Sequence, residues 1–264
     1  YTAVDFESKN AKKARFETVR GAFNRHGYSK THTIPNFLNE MNRMGIHKSI
    51  VLAIDFPLVS KNSEHILTSI ASHEEGKKRL IPFISLHPME RNKEKKLKQF
   101  LAHGAKGIKL HPQIQLFKPT HKGAYEIYEL AKAHNVPILF HTGLSPISPE
   151  WQRRFVEFSH FKKMCADFPD NLFIFGHSGV LDYKEAIMLS KKYKNVYLEL
   201  SGQPPQIIKE MIKMNGHEKL FFGSDWPYYP SILPLAKVLL ATEGMDEHIR
   251  CALLGGNIQR LLGI

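Results

Sequence analysis

The chain has 264 residues, 42 % hydrophobic and 23 % charged, with two cysteines and a formal net charge of +12 from 37 Lys+Arg against 25 Asp+Glu. That length fills one α/β barrel, and that balance excludes disordered and fibrous chains as the overall class. Cys165 and Cys251 are too few for a disulfide framework and lack zinc-ribbon or CxxC spacing, and no apolar run is long enough to span a bilayer. The first thirty residues, from Tyr1, carry charges throughout and hold no apolar core of a secretory signal, so a cytoplasmic protein is expected.

Short β-rich runs recur along the chain at Thr2–Phe6, Ser49–Ile54, Leu80–Leu86, Gly107–Leu110, Val136–Phe140, Leu172–Phe175, Val196–Leu200 and Leu220–Phe222. Several are almost continuously apolar, as in Pro137-Ile138-Leu139-Phe140 and Leu172-Phe173-Ile174-Phe175, which suits strands of a parallel sheet covered on both faces. Between them lie helix-length segments. Phe37, Leu38, Met41 and Met44 share one stripe, with Gly45 as the stop. Ile66, Leu67 and Ile70 mark the next helix, and Leu97, Phe100 and Leu101 a third that ends at Gly104. Tyr125, Tyr128 and Leu130 follow, then Phe155, Phe158, Phe161 and Met164, then Ile187–Leu189, Ile207–Met211 and Leu235–Leu240. A last helix is expected from Asn257, read as its N-cap. Eight strands alternating with helices predict a (β/α)₈ TIM barrel, one domain over residues 1–264. The rival open sheet usually carries a glycine-rich first turn, and no GxGxxG occurs.

The positive charge invites a nucleic-acid reading. Its distribution favours solvated helix faces instead, because Lys93-Glu94-Lys95-Lys96 and Lys191-Lys192-Tyr193-Lys194 fall in helix-like stretches with acids nearby. No nucleic-acid partner and no membrane partner is expected. A small-molecule substrate is, and a homodimer is an open possibility.

Active sites of such barrels lie at the carboxyl ends of the strands. The residues ending the runs are Glu7, Asp55, His87, Lys109 with His111, His141, His177, Ser201 and Asp225. His87 and His111 both precede proline, and a turn role bonding backbone suits His87 best. His141 and His177 each follow an apolar run and precede a small residue and glycine. Asp225 follows the last run. Imidazole and carboxylate are donors for zinc or a similar ion, which acidifies water, and a nearby His or Asp then moves the proton. By strand alternation Lys109 and His111 point the same way and suit a substrate carboxylate.

Gly107-Ile108-Lys109-Leu110-His111-Pro112, His141-Thr142-Gly143, Gly176-His177-Ser178-Gly179, Gly223-Ser224-Asp225-Trp226-Pro227 and Gly256-Asn257 with Arg260-Leu261-Leu262-Gly263 resemble, in order and spacing, the amidohydrolase superfamily. The branch resembled also contains metal-dependent decarboxylases, and Met41-Asn42-Arg43-Met44-Gly45-Ile46 is similar to its helix–turn signature. The resemblance implies a mononuclear, sometimes binuclear, metal site. It implies His141 as a ligand, His177 as a ligand or the residue that orients and deprotonates water, and Asp225 as a ligand and proton shuttle. Lys109 falls near the carbamylated lysine of some binuclear members. The family's first strand ends in Asp-x-His-x-His, whereas this chain reads Asp5-Phe6-Glu7-Ser8-Lys9. Either Glu7 is a replacement ligand with Lys9 turned outward, or the Lys9 ammonium takes the metal position against Asp225 and Glu7, or the real first strand lies upstream of Tyr1. A protonated lysine beside a divalent cation is strongly disfavoured, so metal affinity below the family norm is expected.

The leading expectation is a metal-dependent hydrolase acting on a small anionic ester, lactone or amide, with Glu7, His141, His177 and Asp225 on a divalent metal, zinc before manganese. Asp225 and His177 are the expected catalytic groups. Lys109 and His111 are the expected substrate contacts. The alternatives are a non-oxidative decarboxylase on the same scaffold, or a degenerate barrel that has lost its metal and acts as a binding protein.

Overall fold

The structure is a computed structural model that describes residues 32–56, 60–145 and 148–264. The expected first strand at Thr2–Phe6, with Asp5, Glu7 and Lys9, lies outside the described residues.

The first described helix, α1 (Ile34–Arg43), starts where the Thr33 hydroxyl accepts from the Asn36 N–H at 3.3 Å, with proline in its first turn. It buries Ile34, Phe37, Leu38 and Met41, and ends at Gly45, whose φ of +66° is the left-handed turn that glycine takes without strain. There follow β1 (Ser49–Leu52), α2 (Asn62–Ala71), α3 (Glu74–Arg79) and β2 (Leu80–Ser85). Next come α4 (Lys93–Ala102), β3 (Gly107–Leu110), the one-turn α5 (Pro112–Gln115), α6 (Lys122–Ala133) and β4 (Ile138–His141). A 3₁₀ turn (Glu150–Phe155) leads to α7 (Phe158–Asp167) and β5 (Phe173–Gly176). A second irregular 3₁₀ segment (His177–Asp182) runs into α8 (Tyr183–Lys192) and β6 (Val196–Glu199). The chain closes with α9 (Pro205–Asn215), β7 (Leu220–Phe221), α10 (Ile232–Ala241), α11 (Glu247–Cys251), a π-turn (Ala252–Gly256) and α12 (Asn257–Leu262).

The seven strands form one sheet in sequence order, every neighbouring pair parallel. This is the curled wall of a (β/α)₈ barrel, as expected. The period-2 pleat sorts the side chains. Ile108, Leu110, Ile138, Phe140, Phe173, Phe175, Val196 and Leu198 point outward and are buried under the helices. Phe83, Leu139, Ile174 and Phe221 point inward, and Ile258, Leu261 and Leu262 of α12 pack against them and close the amino-terminal end. Gly107 leaves room for the Phe83 ring, which would lie 2.5 Å from any Cβ placed there.

Two local expectations change. Phe155 belongs to the 3₁₀ turn and not to the helix that carries Phe158, Phe161 and Met164. Asn257 is not an N-cap. The chain is already helical before it, and the Asn257 amide instead donates to the His217 and Leu220 carbonyls at 2.6 and 2.9 Å, tying α12 to the start of β7. The lysine-rich face of α4 is paired as a solvated helix face should be. Lys96 reaches Glu90 at 3.1 Å and Lys98 reaches Glu94 at 2.6 Å, whereas Lys93 departs from that expectation, being buried and reaching Glu126 of α6 at 2.9 Å.

Candidate active site

The same alternation that sends Ile108 and Leu110 to the helices turns Lys109 inward, where it is 1 % exposed. Burial holds the Lys109 ammonium pKa down to about 8, against the opposing pull of the Glu199 and Asp225 carboxylates. Two residues on, the His111 Nδ1 accepts from the Ile114 N–H at 3.3 Å and so caps α5. Its ring lies flat on His141 with 4.1 Å between centroids and 9° between planes. His141 in turn meets the His177 ring edge-on at 4.8 Å. Three imidazoles from three consecutive strand ends thus form one row. Burial holds all three below the usual histidine range, His177 at about 4 despite Glu199, so the row is neutral at pH 7.

The environment of His177 fixes its tautomer. Ser201 Oγ donates to Glu199 Oε2 at 2.8 Å, and a hydroxyl has one proton to give. The 2.8 Å contact between Ser201 Oγ and His177 Nδ1 is therefore donated by the imidazole, which places the lone pair of the neutral ring on Nε2. Glu199 is itself held by the backbone N–H groups of His177 at 2.9 Å and Ser201 at 2.7 Å. Gly223 makes room for it, since a Cβ there would fall 1.8 Å from Glu199 Oε1.

Asp225 follows β7 and is partly buried, and burial pushes its pKa up to about 6 against the pull of Lys109. Both His177 (φ +58°) and Asp225 (φ +51°) sit in the left-handed region, as does Val180 (φ +51°) beside them. Such backbone costs roughly 1–3 kcal/mol per non-glycine residue and concentrates where geometry serves chemistry.

Among the described residues, Lys109, His177, Glu199, Ser201 and Asp225 line a cavity of about 400 Å³ that also runs along Ile50 and Leu52 of β1, Phe221 of β7 and the inward Leu139 and Ile174. His111 and His141 are buried and do not line it, and the ring row joins them to it only through His177. Asp55 and His87 do other work. Asp55 accepts from the Ser63 N–H at 3.2 Å in the first turn of α2. His87 bonds the Gln115 carbonyl at 2.9 Å and accepts from the Met89 N–H, the turn role expected of it. Glu199 is the residue the sequence reading missed. Its signal was a single carboxylate in the apolar run Val196-Tyr197-Leu198-Glu199-Leu200.

Neutral imidazoles with an oriented lone pair and a carboxylate are the donor types that zinc and manganese take. His141, His177 and Asp225 are of that kind. Among the described residues no three His, Cys, Asp or Glu side chains, these three included, stand together as a set that could hold a metal ion.

A parallel barrel with its ionisable residues gathered at the carboxyl ends of the strands has the architecture of a barrel enzyme. The sequence pattern of the amidohydrolase family matches residues 64–264, and the chain belongs to that family. No curated protein sequence matches it. Among solved structures it is similar to an uncharacterized TIM-barrel protein from Bordetella bronchiseptica, at 16 % identity over 93 % of this chain and 90 % of that one, TM-score 0.75. A dihydroxybenzoic acid decarboxylase from Polaromonas sp., solved with manganese and 2-nitroresorcinol, matches at 15 % identity over 93 % and 92 %, TM-score 0.73. A probable 2-pyrone-4,6-dicarboxylic acid hydrolase from Acinetobacter baumannii, solved with citric acid, matches at 15 % identity over 88 % and 90 %, TM-score 0.68. Those likenesses are of fold.

Proposed function

We propose that the chain is a metal-dependent hydrolase of a small anionic ester, lactone or amide. The observation that carries this reading is the His177 tautomer, set by Ser201 and Glu199 so that Nε2 is the unprotonated nitrogen of a ring lining the same cavity as Asp225 and Lys109. His141, His177 and Asp225 would hold a divalent ion, zinc or manganese, with Glu7 as the further donor. Such an ion supplies Lewis-acid polarisation of a carbonyl and an acidified water. Lys109 and His111 would bind the substrate carboxylate, the ammonium as point charge and the imidazole as directional donor. Asp225 would take a proton as the nucleophile forms and return it to the leaving group. Glu199 and Ser201 keep His177 from turning.

Non-oxidative decarboxylation is a second reading. Asp225 would protonate the carbon from which CO₂ departs, and the decarboxylase named above shares the fold.

The test is metal analysis of the purified full chain, then incubation with zinc or manganese and panels of carboxylated lactones and hydroxybenzoates. Hydrolysis products with no CO₂ support the first reading, and released CO₂ the second. A chain that retains no transition metal and is unchanged by adding one defeats both and leaves a binding protein. Glu7→His with Lys9→His should raise metal affinity at least tenfold. No gain removes Glu7 from the ligand set.

A further inference from the structure

Helix α10 departs from the pattern of a barrel's outer helices. Its sequence, Ile-Leu-Pro-Leu-Ala-Lys-Val-Leu-Leu-Ala, holds one charge in ten residues. Pro234, Val238 and Ala241 are buried toward the barrel. The opposite stripe, at helical spacing, is apolar as well. Ile232 is 53 % exposed, Leu233 45 %, Leu239 41 % and Leu240 55 %. Tyr228 and Tyr229 extend the stripe past the helix start, and the lone Lys237 lies over the Tyr229 ring at 5.8 Å. A helix apolar on every side is normally covered on every side.

We propose that this face of α10, with Tyr228 and Tyr229, is where a second copy of the chain docks, in an antiparallel arrangement about a two-fold axis near Ala236. Two observations select that occupant. The first is size. The six exposed apolar side chains offer roughly 500 Å² per copy, which matches the apolar share of the ~800 Å² that each partner buries in a standard interface. The second is charge. Glu243, Asp246 and Glu247 stand exposed at the carboxyl end of the stripe, three carboxylates against Arg250, which lines the same surface as Leu239, Leu240 and Glu243. At its amino end the Ser231 N–H donates to Glu40 Oε1 at 3.0 Å, which sets the end of α1 beside the start of α10. Arg43 is there, 3.7 Å from Glu40 and with its side chain 69 % exposed. An antiparallel two-fold brings each copy's acidic end onto the other's Arg43, the self-complementarity that an isologous interface demands. An anionic membrane surface would meet the acidic end with repulsion.

The surface adjoins the candidate site through the chain itself. Asp225 and Tyr228 are joined by a backbone hydrogen bond of 2.9 Å, so the docked tyrosines would brace the loop that carries Asp225.

The experiment is sedimentation velocity of the full chain at micromolar concentration. The expected result is a species of twice the chain mass. Leu233→Glu with Leu240→Glu, both at exposed positions, should give a monomer that melts like the wild type. Arg43→Glu should weaken the dimer about tenfold, and Glu243→Lys in the same chain should recover it, so the inference remains open to refutation even if the double leucine variant fails to fold. A monomeric wild type, or a dimer indifferent to all these changes, overturns it. So does wild-type binding to phosphatidylserine vesicles that the double leucine variant loses.

Discussion

The floor and the mouth of the barrel are built from the same strands, two residues apart. Leu139 and Tyr197 point into the floor, where Tyr197 stacks on Phe221 at 5.2 Å, and His141 and Glu199 point into the mouth above them. Lys109, opposite Leu139 in the register, is if anything more deeply buried. Burial at the floor stabilises the fold. Burial of Lys109, the histidines and Asp225 costs free energy, which appears as the depressed pKa values of Lys109 and the histidines and the raised one of Asp225. The same pleat and similar concealment from water serve opposite ends, and the chemistry of the side chain decides which.

The sharpest break in the comparison is Asp225→Asn. Turnover should fall by about a thousandfold or more while the melting temperature holds or rises, because the substitution removes a partly buried carboxylate charge without changing shape. The reverse outcome belongs to the floor. Ile174→Ala should cost about 2–5 kcal/mol of stability by denaturant titration and leave metal content per folded molecule unchanged. Lys109 gives a pH signature. Its folded pKa of about 8 lies below the unfolded value of 10.5, so the unfolded chain binds more protons between those limits. Stability should therefore rise by about 3 kcal/mol from pH 8 to 10.5 relative to Lys109→Met, and the two curves should run parallel below pH 8. The smallest effect is expected for Ser201→Ala. Loss of the bond that fixes the His177 tautomer should lower kcat about tenfold with KM little changed, and should shift the His177 ring resonances in an NMR titration.

Much of this was legible in the sequence, for a physical reason. Strands covered on both faces must be apolar throughout, so Ile138–Phe140 and Phe173–Phe175 stand out from the surrounding polar chain. The first polar residue after such a run is where the chain reaches the mouth, which is why His141, His177 and Asp225 were readable. Glu199 was not read in that way, because it lies within its strand, followed by Leu200, and a carboxylate there looks like an interruption. Asn257 misled because asparagine before a helical stripe is a common cap, whereas here its amide serves two carbonyls across the barrel floor. The short helices α3, α5 and α11 have too few turns to show a period. The expectations for Glu7 and Lys9 lie outside the described residues.

The left-handed backbone at His177, Val180 and Asp225 has a consequence for anyone breeding hardier versions of this protein. Glycine adopts that conformation freely, so replacing any of the three relieves local tension that an L side chain must endure. A selection scored only on heat resistance would drift toward Gly at 177 and 225, and its winners would be tougher and inert.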